Sequence, residues 1–400
     1  MSLNDTPSGE RTHIVFFGVR NAGKSSLVNA VTGQALAVVS DTPGTTTDPV
    51  RKAMELLPAG PVLIVDTPGI DDAGNVGDLR VQRALGALDE ADVAVLVVDS
   101  TRGLTPFDEQ LLAAFHEKEL PVVVAENKSD LPREAAPAAV PAGLARAVIP
   151  VSAKTGTGVE ELKEALAAAA LTAAVPRQLV ADLLAPGDVV VLVIPLDSAA
   201  PKGRLILPQQ QVMRDVLDAG AFPCATSVEM LPALLDTLAV PPRLVVTDSQ
   251  VFGAVNAALP PGVPLTSFSI LMARYKGNLP AQLEAVRALE NLTDADTVLM
   301  AEGCTHHRQC DDIGTVKLPA WIREISGANP QFAFTSGREF PEDLSPYAVV
   351  VHCGGCMLNA REMQSRLSRA RNQHVPFTNY GMAIARAHNI LKRALAPLPQ

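Results

Sequence analysis

The chain has 400 residues, 48% of them hydrophobic, and its 43 acidic against 33 basic side chains give a formal net charge of −10. That length suits two or three domains, and the acidic balance argues against a broad nucleic-acid footprint. The apolar runs are short and broken by Pro, Gly or charge, and the start Met1-Ser2-Leu3-Asn4-Asp5 is polar. Neither a membrane helix nor a signal peptide is expected, which points to a cytoplasmic protein whose five cysteines are reduced thiols or ligands.

The first apolar strand, His13–Phe17, runs into Gly18-Val19-Arg20-Asn21-Ala22-Gly23-Lys24-Ser25, a GxxxxGK[ST] loop followed by a helix over Ser26–Thr32. Glycines in such a loop let backbone N–H groups wrap a polyphosphate; Lys24 brings a point charge to the β/γ-phosphates and Ser25 a hydroxyl to Mg²⁺. The nucleotide contacts are therefore assigned to Gly18, Asn21, Ala22, Gly23, Lys24, Ser25 and Ser26. Further motifs follow in the order a GTPase needs. Gly44-Thr45-Thr46-Thr47-Asp48 reads as a first switch in which Thr46 reaches Mg²⁺ and the γ-phosphate, the bland alternative being a polar turn. The strand Val62–Val65 ends in Asp66-Thr67-Pro68-Gly69, with Asp66 expected to hold Mg²⁺ through water and the Gly69 N–H to meet the γ-phosphate. The strand Val122–Ala125 delivers Asn127-Lys128-Ser129-Asp130, whose carboxylate can accept two hydrogen bonds from guanine that adenine cannot supply, and Ser152-Ala153-Lys154 would contact the base. Lys24, Thr46, Asp66 and Gly69 are the expected catalytic set for GTP hydrolysis. Residue 70 is Ile, so the glutamine that orients water in Ras-like enzymes is missing.

An alanine-rich helix, Glu160–Leu171, closes a GTPase domain over residues 1–172, and a linker follows. Strand candidates Val189–Ile194, Leu244–Thr247, Thr297–Ala301 and Ala348–Val351 alternate with helical patterns at Gln209–Leu217, Val251–Leu259, Pro280–Leu292 and Leu358–Asn372. Such alternation predicts parallel α/β packing. A cut at Leu259-Pro260-Pro261-Gly262 divides this part into domains at 179–262 and 263–400.

The last of these holds Cys304-Thr305-His306 and His352-Cys353-Gly354-Gly355-Cys356. Two thiols two residues apart can turn toward one atom, and the intervening glycines let the backbone approach a bulky inorganic centre. Cys304, Cys353 and Cys356 are the expected ligands, with His306, His352 or Glu302 as a weaker fourth; Cys310, after a charged run, and Cys224 are left out. Cys304 and Cys353 each follow a predicted strand, at the ends where parallel sheets place their sites. A helix starting near Met357 would aim its N-terminal amides at the thiolates.

Asn21 in the phosphate loop resembles the asparagine of potassium-stimulated GTPases related to the TrmE- and Era-like enzymes, in which K⁺ bridges the phosphates. The GTPase motifs combined with the Cys304 and His352–Cys356 segments resemble the HydF family, the GTPases among the maturation proteins of FeFe-hydrogenase. That resemblance covers the entire chain. It implies a P-loop GTPase domain, a small dimerisation domain and an α/β domain carrying a 4Fe-4S cluster on Cys304, Cys353 and Cys356, with His306 and His352 lining the fourth position. It further implies a homodimeric carrier of a diiron precursor, supplied by two radical-SAM proteins and delivered to apo FeFe-hydrogenase, with GTP, Mg²⁺ and K⁺ as cofactors and no membrane or nucleic-acid partner. Arg274, Lys276 and Lys317 could attract an anionic precursor, or be ordinary surface charges. Two rival readings stand beside this one: an RNA-associated GTPase with a structural zinc, and a redox enzyme using Cys353 and Cys356 as a dithiol.

Overall fold

Runs such as Ile14–Phe17, Val62–Val65 and Val93–Val98 carry β-branched and aromatic side chains without polar alternation, as strands covered on both faces require. All are buried. The computed structural model describes residues 6–33, 49–68, 86–133, 140–141, 143–173, 179–196, 205–277, 279–303, 312–337 and 339–399. The chain divides into two compact units, residues 1–176 and 177–400.

The first unit is built on a six-stranded sheet of β1 (Thr12–Phe17), β2 (Val50–Leu56), β3 (Gly60–Asp66), β4 (Val93–Asp99), β5 (Val122–Asn127) and β6 (Ala147–Pro150), in the order β2-β3-β1-β4-β5-β6. Only β2 runs antiparallel to its neighbour. Helices Lys24–Thr32 and Val159–Ala173 cover one face, packing Leu27, Val28, Leu162 and Leu166 against Ile14, Phe16, Val95 and Val97. Helix Pro106–Glu117 covers the other with Leu111, Leu112 and Phe115; it starts where Thr105 and Asp108 form a reciprocal cap. The C-terminal ends of β1, β3 and β5 consequently share one edge, where doubly wound sheets bind ligands.

The second unit holds two four-stranded sheets, parallel throughout. One contains β7 (Val189–Val193), β8 (Phe222–Thr226), β9 (Leu244–Thr247) and β10 (Leu265–Ser267) in the order β10-β9-β7-β8. The other contains β11 (Thr297–Glu302), β12 (Gln331–Ser336), β13 (Val349–His352) and β14 (Phe377–Asn379) in the order β12-β11-β13-β14. The expected cut at 262/263 falls before β10, so it would sever the edge strand of the first of these sheets. It would also split a shared core, because Phe268, Ile270, Leu271 and Met382 pack with Val190–Val193 and Val245. Among the described residues no helix is long and apolar enough to cross a membrane.

Candidate functional site

The phosphate loop leaves β1 at Gly18 and enters helix Lys24–Thr32 through Gly23. Both glycines are dictated by space as well as by positive φ: a Cβ on Gly18 would lie 2.4 Å from the Val97 carbonyl oxygen, and one on Gly23 would lie 2.2 Å from Asn127 Nδ2. Asn21, between them, is a non-glycine residue at φ +62° and is exposed. The buried Lys24 ammonium donates across the loop to the carbonyls of Gly18 (3.1 Å) and Val19 (3.5 Å).

Asp66 ends β3 beside this loop. Its Oδ2 accepts the Ser25 hydroxyl at 2.6 Å, while its Oδ1 is buried with no hydrogen-bond partner among the described residues. Burial pushes the Asp66 carboxyl up, against the opposing pull of Ser25, Lys24 and Lys52. An orphaned carboxylate oxygen next to a serine hydroxyl at a helix N-terminus is a donor set that suits Mg²⁺, a hard cation with oxygen ligands. Lys52, on β2, is 5% exposed and donates to Asn29 Oδ1 at 2.7 Å.

Asn127 braces the opposite side. Its Nδ2 donates to the Ala22 carbonyl (2.9 Å) and its Oδ1 accepts from the Ala153 N–H (3.1 Å), which ties the phosphate loop to the Ser152-Ala153-Lys154 segment. Ser152 Oγ donates to Asp130 Oδ1 at 2.7 Å and so orients an otherwise exposed carboxylate. Lys128, at φ +64°, pairs with Asp99 at 2.6 Å. Burial raises the Asp99 carboxyl, but hydrogen bonds from Lys128 and Thr101 outweigh it and leave the group below the usual range.

In the second unit, β11 and β13 lie side by side with Ala301 opposite His352, so Glu302-Gly303 and Cys353 meet at their C-terminal ends. The Cys353 N–H donates to the Ala301 carbonyl (2.8 Å), and Cys353 Sγ accepts N–H groups from Gly303 (3.0 Å) and Gly355 (3.4 Å). Gly355 has φ +61°, and a Cβ there would strike Met363 Sδ at 2.6 Å. Burial pushes the Cys353 thiol up to about 11, the two backbone N–H groups offsetting part of that rise. Cys356 is half-buried and neither cysteine is in a disulfide. Among the described residues no group of three or more His, Cys, Asp or Glu side chains stands together as a metal-holding set; the third expected cysteine, Cys304, lies outside them.

Three families match the chain in succession: 50S ribosome-binding GTPase over residues 13–128, the hydrogen maturase F dimerization domain over 179–277, and the hydrogen maturase F tetramerization domain over 280–397. The two maturase domains together span more than half of the chain. The chain belongs to the hydrogen maturase F family. Its first unit holds a GTPase domain of P-loop fold, and its second holds that family's two oligomerization domains. The tRNA modification GTPase MnmE of Laribacter hongkongensis is 39% identical over 158 residues, 39% of this chain and 34% of that protein. MnmE of Chloroflexus aurantiacus is 38% identical over 164 residues, 41% of this chain and 36% of that protein. The chain thus spans about a third of the length of these curated relatives. Among solved structures, Aquifex aeolicus Era aligns at 20% identity over 57% of this chain and 98% of its own, with a TM-score of 0.34.

Against this family background, the structure brings together Gly18, Asn21, Ala22, Gly23, Lys24, Ser25, Ser26 and Asp66 on one side, and Asn127, Lys128, Asp130, Ser152, Ala153 and Lys154 on the other. Thr46, Gly69, Ile70, Cys304, His306 and Cys310 lie outside the described residues. Cys224 sits on β8, in the other sheet of the unit from Cys353. His352, one of the three side chains anticipated for the fourth position, is fully buried, and both its ring nitrogens are engaged here: Nδ1 donates to the Cys353 carbonyl (2.7 Å) and Nε2 accepts from Arg366 (3.0 Å). Burial and the nearby Arg366 lower its pKa to about 3. The helix after the thiols starts at Ala360 rather than Met357, and the Asn359 side chain caps it by accepting the Glu362 N–H. Lys276 is buried rather than a surface charge, donating to the carbonyls of Leu358 (2.8 Å) and Cys356 (3.3 Å). Arg274 is paired with Asp182. Sequence reasoning passed over Lys52, although the alternation of Val50, Lys52, Met54 and Leu56 puts it on the inward face of β2.

Proposed function

We propose that the protein hydrolyses GTP in its first unit and carries a 4Fe-4S cluster on Cys304, Cys353 and Cys356 in its second, serving as the scaffold that delivers a diiron precursor to apo FeFe-hydrogenase. The observation that supports the cluster site is the convergence on Cys353 Sγ of two backbone N–H groups, from Gly303, which precedes Cys304, and Gly355, which precedes Cys356. N–H groups aimed at a sulfur stabilise its anionic, metal-binding form, and glycines at both positions leave room for a bulky centre. When bound, the cluster would supply an iron whose fourth position accepts an external donor; His306 and the buried Glu302 are the side chains proposed to border it.

In the GTPase unit, Lys24 and the loop amides would neutralise and hold the phosphates, Ser25 and Thr46 would hold Mg²⁺ with Asp66 acting through water, and the Gly69 N–H would meet the γ-phosphate. Asp130, aimed by Ser152, reads guanine. With Ile at position 70, a K⁺ ion held at Asn21 would supply charge in place of an arginine finger. Two radical-SAM maturation proteins are the proposed suppliers, a homodimer the working assembly and the cytoplasm its location. Anaerobic purification with iron and sulfide analysis tests the reading. About four irons per chain support it, whereas stoichiometric zinc supports an RNA-associated GTPase and a metal-free protein excludes a resident cluster.

A further inference from the structure

Lys52 is out of place for an ordinary lysine. It sits in a strand, 5% exposed, on the face that packs against helix Lys24–Thr32. Register places it close to the Mg²⁺-binding carboxylate: Val50 pairs with Asp66 and Lys52 with Ile64, so Lys52 and Asp66 are diagonal neighbours on one face of an antiparallel pair, roughly 7 Å apart at the backbone. The helix opposite repeats the spacing. Ser25, which bonds Asp66, and Asn29, which bonds Lys52, stand one turn apart on the same helical face. Two rungs therefore run side by side between helix and strands, one carrying a carboxylate and the other a cation.

We propose that Lys52 is a positioning residue that acts as a standing counter-charge for Asp66, beside Lys24: held by Asn29, its ammonium helps balance the carboxylate whenever Mg²⁺ departs, so that metal and GDP leave faster than from a site lacking that second charge. This role presupposes the proposed Mg²⁺-dependent GTP site of the first unit. A buried carboxylate with an orphaned oxygen is costly without a cation, and that cost holds a metal in place. A fixed ammonium lowers the cost of the metal-free form and repels the bound metal, both of which loosen Mg²⁺. With an effective dielectric constant of about 20, unit charges carried by such diagonal neighbours interact strongly enough to change a binding constant by at least about tenfold.

The test uses the full chain, a fluorescent GDP analogue and Mg²⁺ titration. Lys52→Met keeps the length of the side chain and removes its charge; half-saturation by Mg²⁺ should fall about tenfold and release of the analogue should slow by a similar factor. Lys52→Arg should behave as the parent. Should Lys52→Met fold poorly, Asn29→Ala, which unfastens the ammonium, should move both readouts in the same direction by a smaller factor. Unchanged or weaker Mg²⁺ binding in Lys52→Met, or Lys52→Arg behaving like Lys52→Met, overturns the counter-charge. If the parent protein binds no GDP analogue at all, the nucleotide-site reading falls and takes this inference with it.

Discussion

Arg366 donates to His352 Nε2 at 3.0 Å, and that bond decides what the histidine beside the cysteine loop can do. The ring is stacked on Phe377, with a centroid separation of 5.6 Å, and lies near Phe340, while Arg366 also donates to Glu362 and the Gly337 carbonyl. His352 thus joins β13 to helix Ala360–Asn372 beneath the thiols. His352→Ala should keep most of the iron bound by the parent, yet lower the stability of the iron-free chain by about 1–3 kcal/mol, because a buried Arg366 donor loses its acceptor. Iron analysis and urea unfolding measure the two effects separately. Iron loss as complete as in Cys353→Ala would restore the imidazole to the ligand set.

Asp130 accepts from Ser152 and is otherwise exposed. Asp130→Asn should shift preference from GTP toward xanthosine triphosphate, since an amide can donate to the O2 that replaces the guanine amino group. Competition binding with the two nucleotides checks this, and an unchanged preference would remove Asp130 from the reader's role.

Asn21 holds a left-handed backbone conformation in the phosphate loop, and residue 70 is aliphatic. Hydrolysis should therefore be faster in KCl than in NaCl at equal ionic strength. Equal rates in the two salts would leave Asn21 as a loop-shaping residue alone.

Much of this architecture was legible because the decisive strands are long and buried on both faces: β1, β4 and β5 announce themselves as unbroken apolar runs ending in Gly18, Asp99 and Asn127. Others left no such trace. β10 and β14 are three residues long, and β8 and β12 are sheet edges whose side chains are half-covered or exposed, so their patterns are broken. The domain cut drawn at Pro260-Pro261 followed local turn chemistry, but tertiary pairing carries the chain on through β10 and the helix Phe268–Lys276. At the cysteine loop, spacing set Cys353 and Cys356 two residues apart but was silent on the direction in which the neighbouring side chains turn. That His352 turns into the protein depends on Arg366, fourteen residues away and visible as a partner only once the helix is packed.

Arg274 illustrates a surface-type residue with a structural task. Its guanidinium donates to both Asp182 carboxylate oxygens and to the Leu179 carbonyl, joining helix Phe268–Lys276 to the start of the second unit. The hydrogen bonds from Arg274 hold the Asp182 carboxyl below its ordinary value despite partial burial. A depressed carboxyl contributes stability above the unfolded pKa, near 4, that is lost as pH falls through the folded value. Arg274→Met should be less stable than the parent at pH 7, by about 1 kcal/mol after allowance for solvent screening. Chemical denaturation should show the gap closing only below about pH 4. A gap that persists undiminished in acid would mean the loss is one of packing.

The cysteines give the sharpest discrimination. Replacing Cys304, Cys353 or Cys356 by Ala removes an anionic ligand that a methyl group cannot replace, so iron content and hydrogenase maturation should both collapse while GTP hydrolysis persists in the separate first unit. Cys353→Ala should be the most disruptive of the three, because the Gly303 and Gly355 N–H groups also lose the sulfur they converge on. Cys224→Ala should retain iron, since that residue lies on β8 in the other sheet of the unit, and Cys310→Ala should retain it because Cys310 stands outside the paired motif. Iron and sulfide analysis across the five variants decides the ligand set. Should Cys310→Ala lose iron as completely as Cys353→Ala, the cluster has four thiolates and a closed fourth position, and a carrier that hands over a diiron precursor there would have to give way to electron transfer or a structural role.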